Sequence, residues 1–378
     1  MRPLSLLAAC IPIAALACAP ASPPAPVSPP PPAPPPAAPA PAPPATSPSS
    51  APAPPQPPDA SALTGLDRIL ADLRRVEPLA RTAEARRFLA ATTILPRVSP
   101  RPLHHDEAKT RWFTAAEAEA LPPPERSALR TFIADEDFYY NTRYGSPLSY
   151  TRALDLLFAR GLTLPPGPGP RARVLDFGYG YIGHLRMLAA MGLDVTGVDV
   201  DPSLRALYSA PTDQGDVRGP RGESGHLRLL HGRFPADPPT TKAVGTGYQL
   251  ILSKNVLKKG YINPDRPVQE KHRIRLGVSD DAVLAAFFTA LAPGGWMLVY
   301  NICPAPSPPD QPFIPWSDGR SPFPRAQWEA AGFQVITFDE DDTEPIRALA
   351  HALGWDQGEG AMNLQTDLSV LYTLVRKP

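Results

Sequence analysis

Short apolar runs alternate with segments of helical periodicity from Arg171 to the end of the chain. Apolar stretches with strand character begin near Val174, Val195, Leu227 and Leu250, and three more follow toward the end of the chain. Helical segments separate most of these runs. Strands that alternate with helices favour a parallel sheet covered on both faces. The pattern therefore predicts an α/β domain over residues 171–378, with a seven-stranded, mostly parallel sheet.

The residues before this domain have a helical pattern. Leu66, Ile69, Leu73 and Val76 recur at the spacing of one helix face. A second helical stretch, 114–145, is broken by three prolines, and a third is expected to begin near Ser149 as its N-cap. The sequence predicts a helical lead-in over residues 59–165.

The N-terminal 58 residues have a different character. Residues 1–18, MRPLSLLAACIPIAALAC, have one positive charge followed by an apolar run too short to span a membrane comfortably. They predict a bacterial lipoprotein-type signal with lipidation at Cys18; Cys10 is a second candidate, and an ordinary signal peptide is the alternative. Residues 19–58 contain only Ala, Pro, Ser, Val, Thr and Gln, which predicts an extended, disordered tether. A ligand for proline-reading domains is the less favoured interpretation.

Charge and cysteine content narrow the chemistry. Lys and Arg number 37, as do Asp and Glu, so no global field points to nucleic acid or to an anionic membrane surface. Outside the signal only Cys303 remains, which excludes an intramolecular disulfide framework and a cysteine zinc site. We expect no metal site and no nucleic-acid partner. We expect contact with a membrane through the lipid anchor only.

A glycine turn follows the first apolar run of the domain. Gly178, Gly180 and Gly183 have the spacing G-x-G-x-x-G between a strand and a helix. Such a turn brings main-chain amides close to a ligand at a helix N-terminus, although tight turns without a ligand also produce this spacing. Asp199 follows Gly178 by 21 residues, the distance at which an acid at the next strand tip binds ribose hydroxyls. Asp201 is expected to cap the following helix instead.

Together these motifs resemble the class I S-adenosylmethionine-dependent methyltransferase family. VLDFGYGYIG, GVDVD, YQLILSKNVL and LAPGGWMLVYNI match the family's first motif, second strand, fourth strand and fifth-strand entry. The resemblance covers about residues 171–378. It implies a late antiparallel strand pair near Phe333 and Leu368, with the lead-in as a cap over the site. A nicotinamide-binding domain is the nearest alternative. Against it, Asp176 lies inside the first strand of the predicted domain, a strand that is normally apolar in dinucleotide-binding folds.

The resemblance also implies residue roles toward the cofactor S-adenosylmethionine. The three glycines and Asp176 would approach the methionine part, Asp199 would bind the ribose, and Ser253 and Asn255 would line the methionine end. Tyr179 and Tyr181 pack either over the cofactor or into the cap. Two positions depart from the family: Arg233 stands where an adenine-binding acid is common, and Gln249 where an acid begins the fourth strand. Arginine cannot accept a hydrogen bond, so either Asp216, Asp237 or a main-chain carbonyl replaces that acid, or adenine binding is weakened.

Methyl transfer needs positioning more than a fixed catalytic triad. If the acceptor needs a base, the candidates are Tyr261, His272 and Lys254, whereas His184 is expected to be structural. Seven lysines and arginines lie in residues 254–275. They predict either recruitment of a small anionic acceptor or a solvated loop.

The predicted location conflicts with the predicted cofactor. A lipid-anchored protein of the cell envelope would lie where S-adenosylmethionine is scarce. Two alternatives therefore stay open: a non-catalytic envelope protein that binds the cofactor or a nucleoside, and an aminocarboxypropyl transferase of the nicotianamine-synthase-like type. The sequence does not predict the oligomeric state.

Overall fold

The computed structural model describes residues 65–142, 145–164, 171–306, 308–358 and 360–378. The predicted signal, its lipidated Cys18 and the tether 19–58 lie outside the described residues and stay predictions. Within these ranges no helix has the length and apolar character needed to cross a membrane.

The lead-in contains both helices and a small sheet. Its elements are α1 (Gly65–Val76), α2 (Ala83–Ala90), β1 (Arg101–His105), β2 (Trp112–Thr114), α3 (Ala115–Glu119), α4 (Pro123–Ser127), β3 (Arg130–Ala134), α5 (Glu136–Tyr140) and α6 (Thr151–Ala159). The three strands form an antiparallel sheet in the order β2-β1-β3.

The prediction of a purely helical lead-in was therefore wrong. In β1 burial alternates with period two, since Leu103 and His105 are buried while Pro102 is exposed. Ser149 is not the cap of α6. That helix begins at Thr151 after a 3-10 turn, and the hydroxyl of Ser149 is buried without a hydrogen-bond partner among the described residues.

The second part supplies the larger sheet. Its elements are β4 (Arg173–Phe177), α7 (Gly183–Ala190), β5 (Asp194–Asp199), α8 (Pro202–Leu207), β6 (Gly215–Arg218), β7 (Ser224–His231), α9 (Pro238–Val244), β8 (Tyr248–Lys254), α10 (Lys259–Ile262), α11 (Asp280–Ala290), β9 (Leu291–Cys303), α12 (Arg325–Ala330), β10 (Gln334–Asp341), α13 (Thr343–Ala352) and β11 (Ser369–Arg376). The Pro-Gly-Gly sequence forms an irregularity at the start of β9, where the pairing with β8 jumps from Leu291 to Trp296.

In the described residues this sheet has eight strands, in the order β10-β11-β9-β8-β4-β5-β7-β6. Strands β7, β5, β4, β8 and β9 are parallel, and β11 is antiparallel to both β9 and β10. The mixed α/β fold and the late antiparallel pair agree with the prediction. The predicted count of seven strands was wrong because β6, paired antiparallel to β7, has one inward apolar residue, Val217. A sequence pattern with so weak an alternation does not distinguish a strand from a loop.

Each face of the sheet has its own apolar core. In β8, Leu250 and Leu252 face a core that also holds Ile69 and Phe88 of the lead-in, whereas Ile251 faces the opposite core. The lead-in therefore packs on one face of the sheet. Because β4 has β5 on one side and β8 on the other, the chain order reverses between β4 and β8. Ligands of open α/β sheets bind at the carboxyl ends of the strands at such a reversal.

Candidate functional site

The glycine turn lies at this reversal point. Gly178 and Gly180 have φ of 76° and 59°, in the left-handed region that glycine adopts without strain. A Cβ at Gly178 would lie 2.4 Å from Cγ2 of Val256, which follows β8. At Gly180 no heavy atom of the described residues lies within 4 Å of that position. The turn is thus packed against β8 at Gly178 and open at Gly180.

Asp199, at the tip of β5, holds the glycine turn. Its Oδ2 accepts a hydrogen bond from the main-chain N–H of Gly180 at 3.0 Å, and its Oδ1 accepts one from Asp201 at 2.9 Å. Burial raises the pKa of Asp199, and these main-chain bonds oppose the shift. The carboxylate also interacts with the main-chain N–H of Val200, and its remaining acceptor capacity is available to a ligand. The next residue, Val200, is 51% exposed, so an apolar surface lies beside the carboxylate.

Asp201 caps α8, as the sequence predicts. Its Oδ1 accepts a hydrogen bond from the main-chain N–H of Ser203 at 2.8 Å. The two neighbouring acids therefore have different functions in the fold: one holds the turn, and the other begins a helix.

Asp176 is fully buried under the start of α7. Its Oδ2 lies 2.5 Å from Nε2 of His184, while its Oδ1 is buried without a hydrogen-bond partner in the described part of the chain. Burial lowers the pKa of His184, and the charge of Asp176 opposes that shift. His184 therefore positions the carboxylate from the first turn of the helix.

Tyr150 covers this pair and was not found from the sequence. Its ring is stacked on His184 with centroids 3.7 Å apart, and Nζ of Lys254 lies 4.8 Å from its ring centroid. Burial raises the pKa of Tyr150, and Asp176 raises it further. No motif marks this tyrosine, because the lead-in brings it to the site only through tertiary packing.

Ser253 and Asn255 flank the end of β8. The hydroxyl of Ser253 is buried without a partner among the described residues. Asn255 has a left-handed φ of 67°, and its Oδ1 accepts a hydrogen bond from the main-chain N–H of Ile302 at 2.7 Å. The amide oxygen of Asn255 therefore fixes the end of β9 beside β8.

The two bulky residues of the glycine turn pack against protein. The ring of Tyr179 lies 6.2 Å from that of Tyr208 and 6.3 Å from that of His231. Tyr181 meets the ring of Phe138 in α5 edge-on at 6.2 Å. Of the two interpretations given by the sequence, these contacts favour packing.

The three candidate bases do not lie together. Tyr261 is buried in α10, where burial raises its pKa, and the ring of His272 meets that of Trp316 at 5.5 Å. Among the contacts of the described residues, those of Lys254 join the group around Asp176, whereas those of Tyr261 and His272 do not.

The basic segment after β8 is less open than its sequence indicates. Lys258 is 1% exposed and donates a hydrogen bond from Nζ to the carbonyl of Ile302 at 2.9 Å. Lys259 pairs with Asp265 at 2.9 Å. Neither interpretation of this segment, recruitment of an anionic acceptor or a solvated loop, describes Lys258, because its ammonium group is buried and bonded to the main chain of β9.

The two acids proposed to replace the adenine-binding acid lie at opposite ends of the sheet, since Asp237 follows the carboxyl end of β7 and Asp216 does not. Asp237 accepts a hydrogen bond from the main-chain N–H of Arg233 at 2.6 Å. Asp216 lies opposite His226, which in turn pairs with Asp194 at the start of β5. That position is five residues before the tip of β5, about 16 Å along the strand. Asp216 is therefore at the wrong end of the sheet.

Gln249 also lies at the amino end of the sheet, where its Oε1 accepts a hydrogen bond from the main-chain N–H of Arg173 at 2.6 Å. Within the described residues no three His, Cys, Asp or Glu side chains are grouped so that they could hold a metal ion.

Comparisons with known proteins give structural similarity only. No protein-family model and no curated protein matches the chain. The [4+2]-cyclase SpnF is similar in structure, with 16% identity, a TM-score of 0.35, and coverage of 62% of this chain and 83% of that one. Phosphoethanolamine N-methyltransferase 2 of Haemonchus contortus, solved with S-adenosyl-L-methionine, has 12% identity, a TM-score of 0.36, and coverage of 74% and 68%. The glycopeptide N-methyltransferase MtfA has 15% identity, a TM-score of 0.33, and coverage of 61% and 90%. These similarities assign no role to any residue.

Proposed function

We propose that the carboxyl edge of the main sheet binds S-adenosylmethionine and that the protein is a methyltransferase acting on a small acceptor. The observation that carries this proposal is the 3.0 Å hydrogen bond from the N–H of Gly180 to Asp199. It joins the glycine turn to the acid at the tip of the next strand, beside the reversal between β4 and β8. Nucleoside ligands of α/β sheets use this combination.

The local geometry fits such a ligand. The open side of Gly180 admits close approach to the main chain. The remaining lone pairs of Asp199 can accept the two ribose hydroxyls, and the exposed side chain of Val200 offers an apolar surface for a base. Ser253 and Asn255, at the end of β8, would lie toward the methionine end.

The cofactor would supply an electrophilic methyl group on a sulfonium. The protein would contribute by orienting the acceptor and by excluding water, since His184 and Lys254 are buried against the ring of Tyr150 from the lead-in. We further propose that the acceptor is anionic, because Lys271 and Arg273 are exposed and could contact it.

Binding without turnover is the second candidate function. Asp176 is engaged by His184, and the amide oxygen of Asn255 by the main chain of Ile302. Because these side chains are already bonded within the protein, they favour a fold that binds the ligand without catalysing a reaction.

Calorimetric titration of the purified full-length chain with S-adenosylmethionine and S-adenosylhomocysteine tests the proposal. We expect micromolar binding that falls at least about tenfold in Asp199→Ala, because charge-assisted hydrogen bonds to the ribose are lost. Asp194→Ala is the matched control, since it removes an acid at the opposite end of β5. A wild-type chain that binds neither ligand at millimolar concentration would refute the proposal.

Product analysis then separates the three candidate functions. After incubation of the protein with S-adenosylmethionine and a panel of acceptors, S-adenosylhomocysteine indicates methyl transfer. 5′-Methylthioadenosine indicates aminocarboxypropyl transfer. Tight binding with neither product indicates the non-catalytic alternative.

A further inference from the structure

A buried lysine without an acidic partner ends β8. Lys254 is 8% exposed. Among the described residues no carboxylate forms an ion pair with its ammonium group, which lies 4.8 Å from the centroid of the Tyr150 ring. Its neighbour Lys258, by contrast, donates a hydrogen bond to a main-chain carbonyl.

A buried cation without an ion pair is costly, and the charge of the buried Asp176 offsets only part of that cost. Transfer of a charge out of water is unfavourable unless the charge is paired. Burial lowers the pKa of Lys254 to about 8, with a further contribution from Lys258 and an opposing one from Asp176. The side chain is therefore mostly protonated at neutral pH, which suits anion binding better than the acceptance of a proton.

The position of Lys254 places it beside the glycine turn. Val256, two residues further along, contacts Gly178. In the sheet Asp176 pairs with Leu252, so Asp176 and Lys254 project from the same face of two neighbouring strands. Asp176 keeps one buried oxygen, Oδ1, without a partner in the described part of the chain. A carboxylate and an ammonium group on one face match the two charges of an α-amino acid.

We propose that Lys254 binds the carboxylate of the amino-acid part of S-adenosylmethionine. This inference rests on the proposed function and adds a ligand contact that the glycine-turn motif does not supply. The Tyr150 ring supports the charged side chain through its π face. Lys254 is thus a binding residue that distinguishes ligands with an amino-acid moiety from plain nucleosides.

The test compares two ligands that differ in this moiety. S-Adenosylhomocysteine carries the amino-acid part, and 5′-methylthioadenosine lacks it. We expect Lys254→Met in the full-length chain to weaken binding of S-adenosylhomocysteine at least about tenfold, the loss of one charge-assisted contact, and to leave the affinity for 5′-methylthioadenosine unchanged. Lys254→Arg should retain most of the preference, and Lys271→Met is the control for an exposed lysine of the same segment.

The outcomes separate the inference from the proposed function. A wild-type chain that binds neither ligand would refute both. Wild-type binding with an unchanged ligand preference in Lys254→Met would refute the inference alone, as would equal weakening of both ligands. Circular dichroism and the thermal midpoint show whether the variant is folded. If Lys254→Met fails to fold, Lys254→Gln takes its place, with the same expected loss of preference.

Discussion

Gly178 and Gly180 have the same left-handed backbone but opposite surroundings. A side chain at Gly178 would collide with Val256, whereas one at Gly180 would enter open space. The first glycine is therefore needed for packing between β4 and the segment after β8. Gly180 is needed only because its positive φ would strain any other residue. The space beside it is available to a ligand.

Gly180→Ala should separate stability from binding. The positive φ should cost about 1–2 kcal/mol of folding free energy, and the added methyl group should weaken binding of S-adenosylhomocysteine. Gly222→Ala is the matched control, because Gly222 also has a positive φ and no neighbour within 4 Å but lies in the hairpin between β6 and β7. Urea denaturation and calorimetry measure the two effects. Equal ligand affinity in both variants would contradict a ligand site at the turn.

A buried acid of the lead-in should give the protein a pH-dependent stability. Burial raises the pKa of Asp72 from 3.8 to about 7, although Arg75 and Arg68 oppose this shift. The folded chain then holds a proton that the unfolded chain has released, so the free energy of unfolding falls as pH rises from about 4 to about 7.

Asp72→Asn removes this titration and can still accept the hydrogen bond from Arg75, now 2.5 Å long. Thermal midpoints measured from pH 5 to pH 8 should favour the variant increasingly as pH rises. A constant difference between the two proteins over that range would show that Asp72 does not titrate there.

At the scale of elements, the segment after β8 combines buried and exposed cations. Lys258 lies under β9, while Lys259 pairs with Asp265 at the surface. The sequence alone predicts that Lys258 and Lys259 are both basic residues of a loop. Only their burial shows that they belong to different classes of interaction.

Charge reversal at these two lysines should have very different consequences. Lys258→Glu buries a carboxylate opposite the carbonyl of Ile302 and should cost about 3–5 kcal/mol. Lys259→Glu loses a partly exposed pair and should cost about 1 kcal/mol or less. Urea denaturation of each single variant measures the difference. Similar losses in both would show that Lys258 is not buried in solution.

At the scale of the whole molecule, the lead-in and the main sheet share one apolar core. Ile69 and Phe88 belong to the same cluster as Leu188 and Leu250. Polar contacts join the two parts as well: Arg152 binds Asp342 through three hydrogen bonds of 2.5–3.2 Å. Similarly, Arg101 binds Asp213 through two hydrogen bonds.

We therefore expect the lead-in and the sheet to unfold together. Hydrogen exchange followed by mass spectrometry across a urea series should give the same midpoint for α2 and α6 as for β4 and β8. Loss of protection in α2 and α6 at lower urea would show two independent units.

Much of the fold could be predicted from the sequence because its signals are local. The apolar run of β4, the glycines after it and Asp199 at the end of the next strand lie within 30 residues. Strand and turn chemistry alone places them at one edge of a sheet. The weak alternation of β6 and the small sheet of the lead-in gave no comparable local signal, and both were missed.

The sequence by itself therefore determined the α/β domain, its glycine turn and the acids around it, since each depends on short-range spacing. Only the tertiary structure decided which neighbours those groups meet. It brought Tyr150 from the lead-in over His184 and Asp176, buried Lys258, and left Lys254 without an acidic partner in the described residues. The physical reason is that charge and hydrogen-bonding groups act according to their burial and their partners, and elements distant in sequence supply both.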